Sequence, residues 1–249
     1  MKFPPAAAAK SARVPPRRSC TKTAAAESPE YANPHIVLNT KNPKSGANAK
    51  KTRVGAILLA AGSSARMGGQ NKLLSPWRGK PLLCRAAQTV ADALECGVLH
   101  RARAVCGRDS EKIKTALAET RLPCVFNPNY KMGISSSLIC GLRASRAEDL
   151  DGVLVMLGDM PRVSVADIRA VVRVFAENKN AIVAPVFGGR RGNPVLIPRR
   201  LFSEVMRLRG DTGARALFAK FAKNDICGAA AGAGVLFDID SPADLEAQK

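Results

Sequence analysis

The chain has 249 residues, 46% of them apolar, and a formal net charge of +19. That length suits one sizeable folded core, and no apolar run approaches the ~20 residues a membrane-crossing helix needs. Two tyrosines, one tryptophan and eight phenylalanines leave little aromatic surface for stacking bases. The basic excess therefore points to a phosphorylated small molecule rather than to nucleic acid.

Residues 1–53 carry eleven Lys/Arg against Glu27 and Glu30, a net of +9. Pro, Ala, Lys and Ser recur over 1–52 without periodicity, so this stretch is expected to be a disordered basic tail ahead of one folded domain over 53–249. The alanines Ala6–Ala9 are too few to form the apolar centre of a signal peptide. Seven cysteines (Cys20, Cys84, Cys96, Cys106, Cys124, Cys140 and Cys227) form no CxxC pair, with His35 and His100 as the only histidines. They read as reduced thiols of a cytoplasmic protein, not as zinc ligands.

The folded part opens with VGAILLA (Val54–Ala60), an apolar run of buried-strand type. A loop leads to a helix over 81–97, with Pro81 at its start and Gly97 at its stop. RARAVC (Arg101–Cys106) predicts a second strand, the next segment a helix opened by Asp109, and LPCVFN (122–127) a short third strand. SSSLICGLRAS (135–145) predicts a helix and GVLVMLGD (152–159) a second strongly buried strand. Then come a helix over Val165–Glu177, strands at AIVAPVF (181–187) and NPVLI (193–197), helices near 199–207 and 212–221, and a strand VLFDI (235–239). A short helix capped by Asp240 or Ser241 closes the chain. Strand–helix alternation argues for an α/β domain with a largely parallel sheet, in which ligands bind at the carboxyl ends of strands. Gly62, Asp159 and Asp238–Asp240 are expected at such ends.

LLAAGSSARMGGQNKLL (58–74) looks like a cradle for phosphates. Spacing excludes the Walker loop, because Lys72 follows Asn71 and precedes Leu73. It also excludes the dinucleotide fingerprint, because Gly62 is followed by Ser63 and Ser64. What remains is a glycine turn whose backbone N–H groups can face anionic oxygens. Arg66 adds a bidentate fork and Lys72 a point charge.

The string A-A-G-x-S-x-R-M-G-x-x-N-K-L over 60–73 resembles the signature loop of molybdenum-cofactor-type nucleotidyltransferases. LGDMP (157–161), RRGNPV (190–195), GDTGAR (210–215) and DIDSPADL (238–245) follow in that family's order, so the resemblance runs from Val54 to the C-terminus. It implies a single Rossmann-like domain of nucleotide-diphospho-sugar-transferase type, with a mostly parallel central sheet flanked by helices. Leu59-Ala60-Ala61-Gly62 resembles the cytidylyl branch, the molybdenum cofactor cytidylyltransferases, whereas guanylyl relatives usually carry LAGG. A methyl at Ala61 is expected to limit how closely a base approaches the turn. The branch implies transfer of CMP from CTP to molybdopterin with release of pyrophosphate. Asn193 departs from the pattern, since relatives often have His before the proline.

Nucleotidyl transfer brings one anion against another, so charge neutralisation and alignment carry the catalysis. The resemblance implies magnesium held by Asp159 and Asp240, with Arg66 and Lys72 on the triphosphate. Arg66, Lys72 and Asp159 are thus the expected catalytic set. Leu59, Ala60, Ala61, Gly62, Ser64, Ser135 and Ser136 are expected to line the nucleotide with them. Arg191, Gly192, Asn193, Asp211 and Arg215, with Arg190, are expected on the acceptor side. Asp238 shares a face with Asp240 if the final strand continues, or else caps the last helix. A molybdoenzyme receiving the cofactor is the expected protein partner, and no membrane partner is expected. Three other readings stay open: guanylyl transfer or another phosphorylated acceptor, a nucleic-acid-binding protein that uses the α/β domain only as scaffold, and a non-catalytic chaperone for the cofactor.

Overall fold

The computed structural model describes residues 51–62, 71–145, 149–214, 217–220 and 225–246, all within the unit Tyr31–Lys249. The tail expected over 1–52 lies almost wholly outside the described residues. β1 (Val54–Ala60) is buried at all seven positions. Val54, Ala56, Leu58 and Ala60 join one apolar cluster, while Ile57 and Leu59 join another. That period-two division is what a strand covered on both faces shows.

A two-stranded ribbon, β2 (Pro76–Trp77) with β3 (Lys80–Pro81), leads into α1 (Leu82–Glu95). β4 (Arg101–Cys106), α2 (Ser110–Leu117), β5 (Cys124–Phe126), α3 (Ile134–Ala144) and β6 (Gly152–Leu157) follow. Next come α4 (Val165–Glu177), β7 (Ile182–Phe187), β8 (Arg190–Arg191) and β9 (Val195–Pro198). α5 (Phe202–Val205), α6 (Leu217–Lys220), β10 (Ile226–Ala230) and α7 (Pro242–Glu246) complete the described elements.

Eight strands form one sheet in the order β10-β7-β9-β6-β1-β4-β5, with β8 added on β7. β5, β4, β1 and β6 are parallel neighbours, as are β10 and β7. β9 alone of the central path runs against its neighbours β6 and β7. Gly188 and Gly189, both at positive φ, make the two-residue turn between β7 and β8, a conformation that glycine adopts without strain. The expected α/β domain with a mostly parallel sheet is thus present.

Leu83, Val90, Ile113, Ile168 and Phe175 from α1, α2 and α4 pack on one face of the sheet. Leu138, Leu142, Leu201, Val205 and Leu217 from α3, α5, α6 and the turn before α5 pack on the other. Leu58, Leu138 and Leu154 are each at most 1% exposed, so truncating any of them to alanine should cost about 2–5 kcal/mol.

Two expectations fail. VLFDI over 235–239 forms no strand; a 3-10 turn, Ala233–Leu236, is followed by unpaired extended chain. Its apolar residues are buried without a ladder. The Val235 carbonyl accepts from Asn193 N at 3.0 Å and Ile239 N donates to the Asp159 carbonyl at 3.1 Å. A strand that the sequence did not suggest, β10, pairs with β7; its ICGAA carries a glycine and two alanines and so has weak strand propensity. The helix expected near 199–207 is also shorter, a 3-10 turn Arg199–Leu201 running into α5.

The described cysteines, Cys84, Cys96, Cys106, Cys124, Cys140 and Cys227, are unbridged. Burial pushes the thiols of Cys106 and Cys124 up, with the neighbouring thiol adding at Cys106. Cys106 lies in the core and Cys124 is partly buried against it. No helix among the described residues is long and apolar enough to cross a membrane.

Candidate active site

The chain leaves β1 toward β4 on one side and adds β6 on the other, which opens a crevice at the carboxyl ends of β1 and β6. Leu59 pairs with Leu157, and Gly158 N donates to the Leu59 carbonyl at 3.0 Å. The residues just beyond, Ala61-Gly62 and Asp159, therefore leave the sheet side by side.

Lys72 closes this crevice. Asn71, 7% exposed, caps the 3-10 turn Lys72–Leu74 by accepting from Leu73 N at 3.2 Å. That orients Lys72 so that its Nζ lies 2.8 Å from Asp159 Oδ2, 2.8 Å from Asp240 Oδ1 and 3.0 Å from the Ile239 carbonyl. The Lys72 and Asp159 side chains are 16% and 18% exposed, and that of Asp240 is 50% exposed. Burial opposes the Lys72 charge more than any single contact favours it. Asp159 and then Asp240 together outweigh burial and hold the ammonium above its ordinary pKa.

Asp240 reaches this point without a strand. Ile239 N bonds to the carbonyl of Asp159, and the Ile239 side chain is buried with Trp77, Leu82 and Leu245. Beyond it, Ser241 and Asp244 cap α7 reciprocally: Ser241 Oγ accepts from Asp244 N at 3.2 Å, and Asp244 Oδ2 accepts from Ser241 N at 2.8 Å. Asp240 N also donates to Asp244 Oδ2 at 3.1 Å. This cap excludes Asp238, whose carboxyl is instead pushed up by burial and then by Asp240 and Asp159. Asp159 and Asp240 thus share one end of the crevice, with the Lys72 ammonium between them.

The donor set suits a hard divalent cation. Magnesium takes one or two carboxylates with phosphate oxygens, and Lys72 shows that a cation can lie between Asp159 and Asp240. Among the described residues Asp159 Oδ1 is buried with no hydrogen-bond partner. No group of three or more His, Cys, Asp or Glu with metal-holding geometry occurs among them, so a metal here would draw its remaining ligands from substrate and water.

The other expected residues fall in three places. Leu59, Ala60 and Ala61 are buried, and Gly62 is exposed with open space around it. The Ala61 methyl lies in the core cluster with Ile57, Val105 and Leu138 rather than on the open face, against Gly107. Ser64, Arg66 and Arg215 lie outside the described residues.

Ser135 and Ser136 sit at the start of α3, beyond β4 and β5. Ser135 is 2% exposed and its N donates to the Gly210 carbonyl at 3.2 Å. The Ser136 hydroxyl donates to the Asn129 and Gly133 carbonyls, and Asn127 Nδ2 donates to Ser136 and Ser137 Oγ at 2.9 and 3.0 Å. A side chain on Gly133 would collide with the Gly210 backbone, so the start of α3 and the exposed Asp211 turn are packed together.

On the other flank, the β6–β9 register pairs Val155 with Val195. The Asn193–Pro194 bond just before β9 is cis, and Asn193 N donates to the Val235 carbonyl at 3.0 Å. Gly192 has no room for a side chain beside the Val235 carbonyl, and its N bonds to the Pro185 carbonyl at 2.8 Å. Arg191 is exposed, with its guanidinium over the Phe218 ring at 5.3 Å.

Sequence reasoning gave Asn71 and Asn127 no role at the site and took Asp109 only as the opening of a helix. Asp109 stands before α2 at φ +54° without capping it, and its Oδ2 accepts from Asn71 Nδ2 at 3.3 Å. The bond joins the end of the Gly62 loop to the end of β4. An isolated Asn or Asp carries no signal of such a partner.

Comparison with known proteins fits this architecture. The family model described as MobA-like NTP transferase domain matches residues 56–225. The bifunctional protein GlmU of Sinorhizobium fredii is 32% identical over 130 residues, which cover 51% of this chain and 27% of GlmU; the match thus spans about a quarter of that relative's length. The purine catabolism protein PucB of Bacillus subtilis is 28% identical over 203 residues, covering 76% of this chain and 93% of PucB. The crystal structure of Rv0371c from Mycobacterium tuberculosis superposes with a TM-score of 0.67 at 24% identity, over 80% of this chain and 98% of that one.

Proposed function

The chain belongs to the MobA-like NTP transferase domain family, and from that premise we propose that it moves CMP from CTP to molybdopterin and releases pyrophosphate. The observation that carries the reading is the Lys72–Asp159–Asp240 arrangement at 2.8 Å, set at the β1–β6 crevice beside the Gly62 turn. Cationic and metal-holding groups converge there where a triphosphate would enter.

In the proposed reaction a phosphate oxygen of the acceptor forms a bond to the α-phosphorus of CTP. The bond from that phosphorus to the bridging oxygen breaks, and pyrophosphate leaves with its electron pair. No covalent bond to the protein is required. The chain's part is to bind, align and neutralise. Backbone N–H groups after Gly62 would face phosphate oxygens, and Lys72 would supply an ammonium to the leaving pyrophosphate. Asp159 and Asp240 would hold magnesium, which when bound withdraws charge from the phosphates. Gly192 and Asn193, just before β9, are assigned to the acceptor side with Arg191, and a molybdoenzyme would receive the product.

The test is pyrophosphate release with molybdopterin across CTP, GTP, ATP and UTP. The proposal expects CTP to be used at least tenfold better than the rest. A GTP preference would make the chain a guanylyltransferase. Tight molybdopterin binding without turnover on any nucleotide would make it a cofactor carrier.

A further inference from the structure

Lys72 was expected on the triphosphate, yet it lies on the two carboxylates assigned to the metal. Its Nζ is 2.8 Å from Asp159 Oδ2 and 2.8 Å from Asp240 Oδ1, with the Ile239 carbonyl as a further acceptor at 3.0 Å. An ammonium and a divalent cation cannot share that space. We propose that Lys72 is an internal counter-cation: it occupies the Asp159–Asp240 pair when no nucleotide is bound, and it must transfer to the triphosphate before a divalent cation binds the pair. The inference rests on the metal assignment made above.

Hydrogen bonding distinguishes this from a finished structural ion pair. A structural bridge of this burial would satisfy its buried oxygens, because an unpaired buried acceptor is costly. Among the described residues Asp159 Oδ1 has no hydrogen-bond partner. Lys72 thus takes one oxygen of Asp159 and leaves the other for a ligand of higher charge.

The consequence is a linkage between metal and nucleotide. Without nucleotide, a divalent cation must break two ion pairs to enter, so its apparent affinity is low. A triphosphate offers Lys72 another anionic partner, which frees both carboxylates. Metal and nucleotide therefore raise each other's affinity by the same factor.

The experiment titrates the full chain with manganese alone and reads bound metal by its paramagnetic signal. Lys72→Met keeps the length of the side chain and removes the charge. It should bind manganese at least tenfold more tightly than wild type without nucleotide, and adding Asp159→Asn should abolish the gain. Lys72→Arg keeps the counter-cation and should stay near wild type. Lys72→Gln serves in place of Lys72→Met if the latter misfolds. Equal or weaker manganese binding in the uncharged variants, or Lys72→Arg binding as tightly as Lys72→Met, would overturn the inference. A parallel titration with CTP separates two failures. Asp159-dependent manganese binding seen in the CTP titration, without a gain in Lys72→Met alone, would sink the counter-cation and leave the metal assignment. No Asp159-dependent binding in either titration would remove both.

Discussion

Ile239 donates its backbone N–H to the carbonyl of Asp159 at 3.1 Å, and this bond brings the second acidic segment to the first across 80 residues of sequence. The side chain of Ile239 is fully buried, so the following Asp240 is presented to Lys72 from a fixed point. Asp159 ends a buried strand, whereas Asp240 depends on a docked loop and the cap of a short helix.

Ser241 is the weak joint of that loop. Ser241→Ala removes the hydroxyl that accepts from Asp244 N and donates to Asp244 Oδ2. Losing an N-cap in a protein of this size should lower Tm by about 2–4 °C, and the magnesium concentration needed for half-maximal turnover should rise. The pH dependence has a defined sign. The Ser241 hydroxyl, followed by backbone N–H groups of Ser241 and Asp240, holds Asp244 below its ordinary pKa. That stabilisation is present above the unfolded carboxylate value of about 3.9 and is lost as pH falls through the folded value. The wild-type and variant melting temperatures should therefore converge on acidification below about pH 4. A constant gap would detach the cap from Asp244.

Gly192→Ala tests the acceptor flank. A side chain there meets the Val235 carbonyl, which already accepts from Asn193 N at 3.0 Å. Overpacking of this kind costs about 1–3 kcal/mol, and urea unfolding should show it. KM for the acceptor should rise more than KM for the nucleotide. A larger effect on nucleotide KM would move Gly192–Asn193 to the other substrate.

Ala61→Gly addresses base choice. The Ala61 methyl is buried against Gly107, so the proposed base preference would depend on packing around Ala61 rather than on its touching the base. GTP use should rise relative to CTP without the preference reversing, because a lost methyl is worth only about 1–3 kcal/mol of discrimination. An unchanged CTP/GTP ratio in a folded variant would take Ala61 out of nucleotide selection.

Starting the chain near Lys51 tests the tail. Residues 1–50 carry no motif, and β1 begins only at Val54, so Tm and turnover should match the full chain. A folded truncation that loses activity would give the tail a catalytic role.

Much of this was legible in the sequence, and the parts that were not share a cause. VGAILLA and GVLVML are continuous apolar runs, and only central strands covered on both faces need them. They located β1, β6 and the crevice between their ends. The segment VLFDI has the same character but earns its burial by docking: Val235 and Ile239 are fully buried while their backbone bonds go to loops. Periodicity reports burial, not what the backbone pairs with. β10 escaped for the opposite reason, since ICGAA gains its place from the open edge of β7 rather than from propensity. At the site, Lys72, Asp159 and Asp240 were legible as chemistry. Their contact was not, because it depends on the Asn71 cap and the Ile239 bond, and neither leaves a pattern in the chain.

The most direct test is turnover against magnesium concentration for wild type, Asp159→Asn and Asp240→Asn. Asparagine keeps the size of the side chain and removes the charge that Lys72 and a metal both require, so folding should survive in each variant. The account predicts that Asp159→Asn loses at least a hundredfold in kcat at every magnesium concentration, about 2.7 kcal/mol of transition-state stabilisation. Asp240→Asn should shift the magnesium dependence to higher concentration with a smaller loss at saturation. Near-normal turnover by Asp159→Asn at limiting magnesium would contradict the account and place the metal, and with it the reaction, elsewhere.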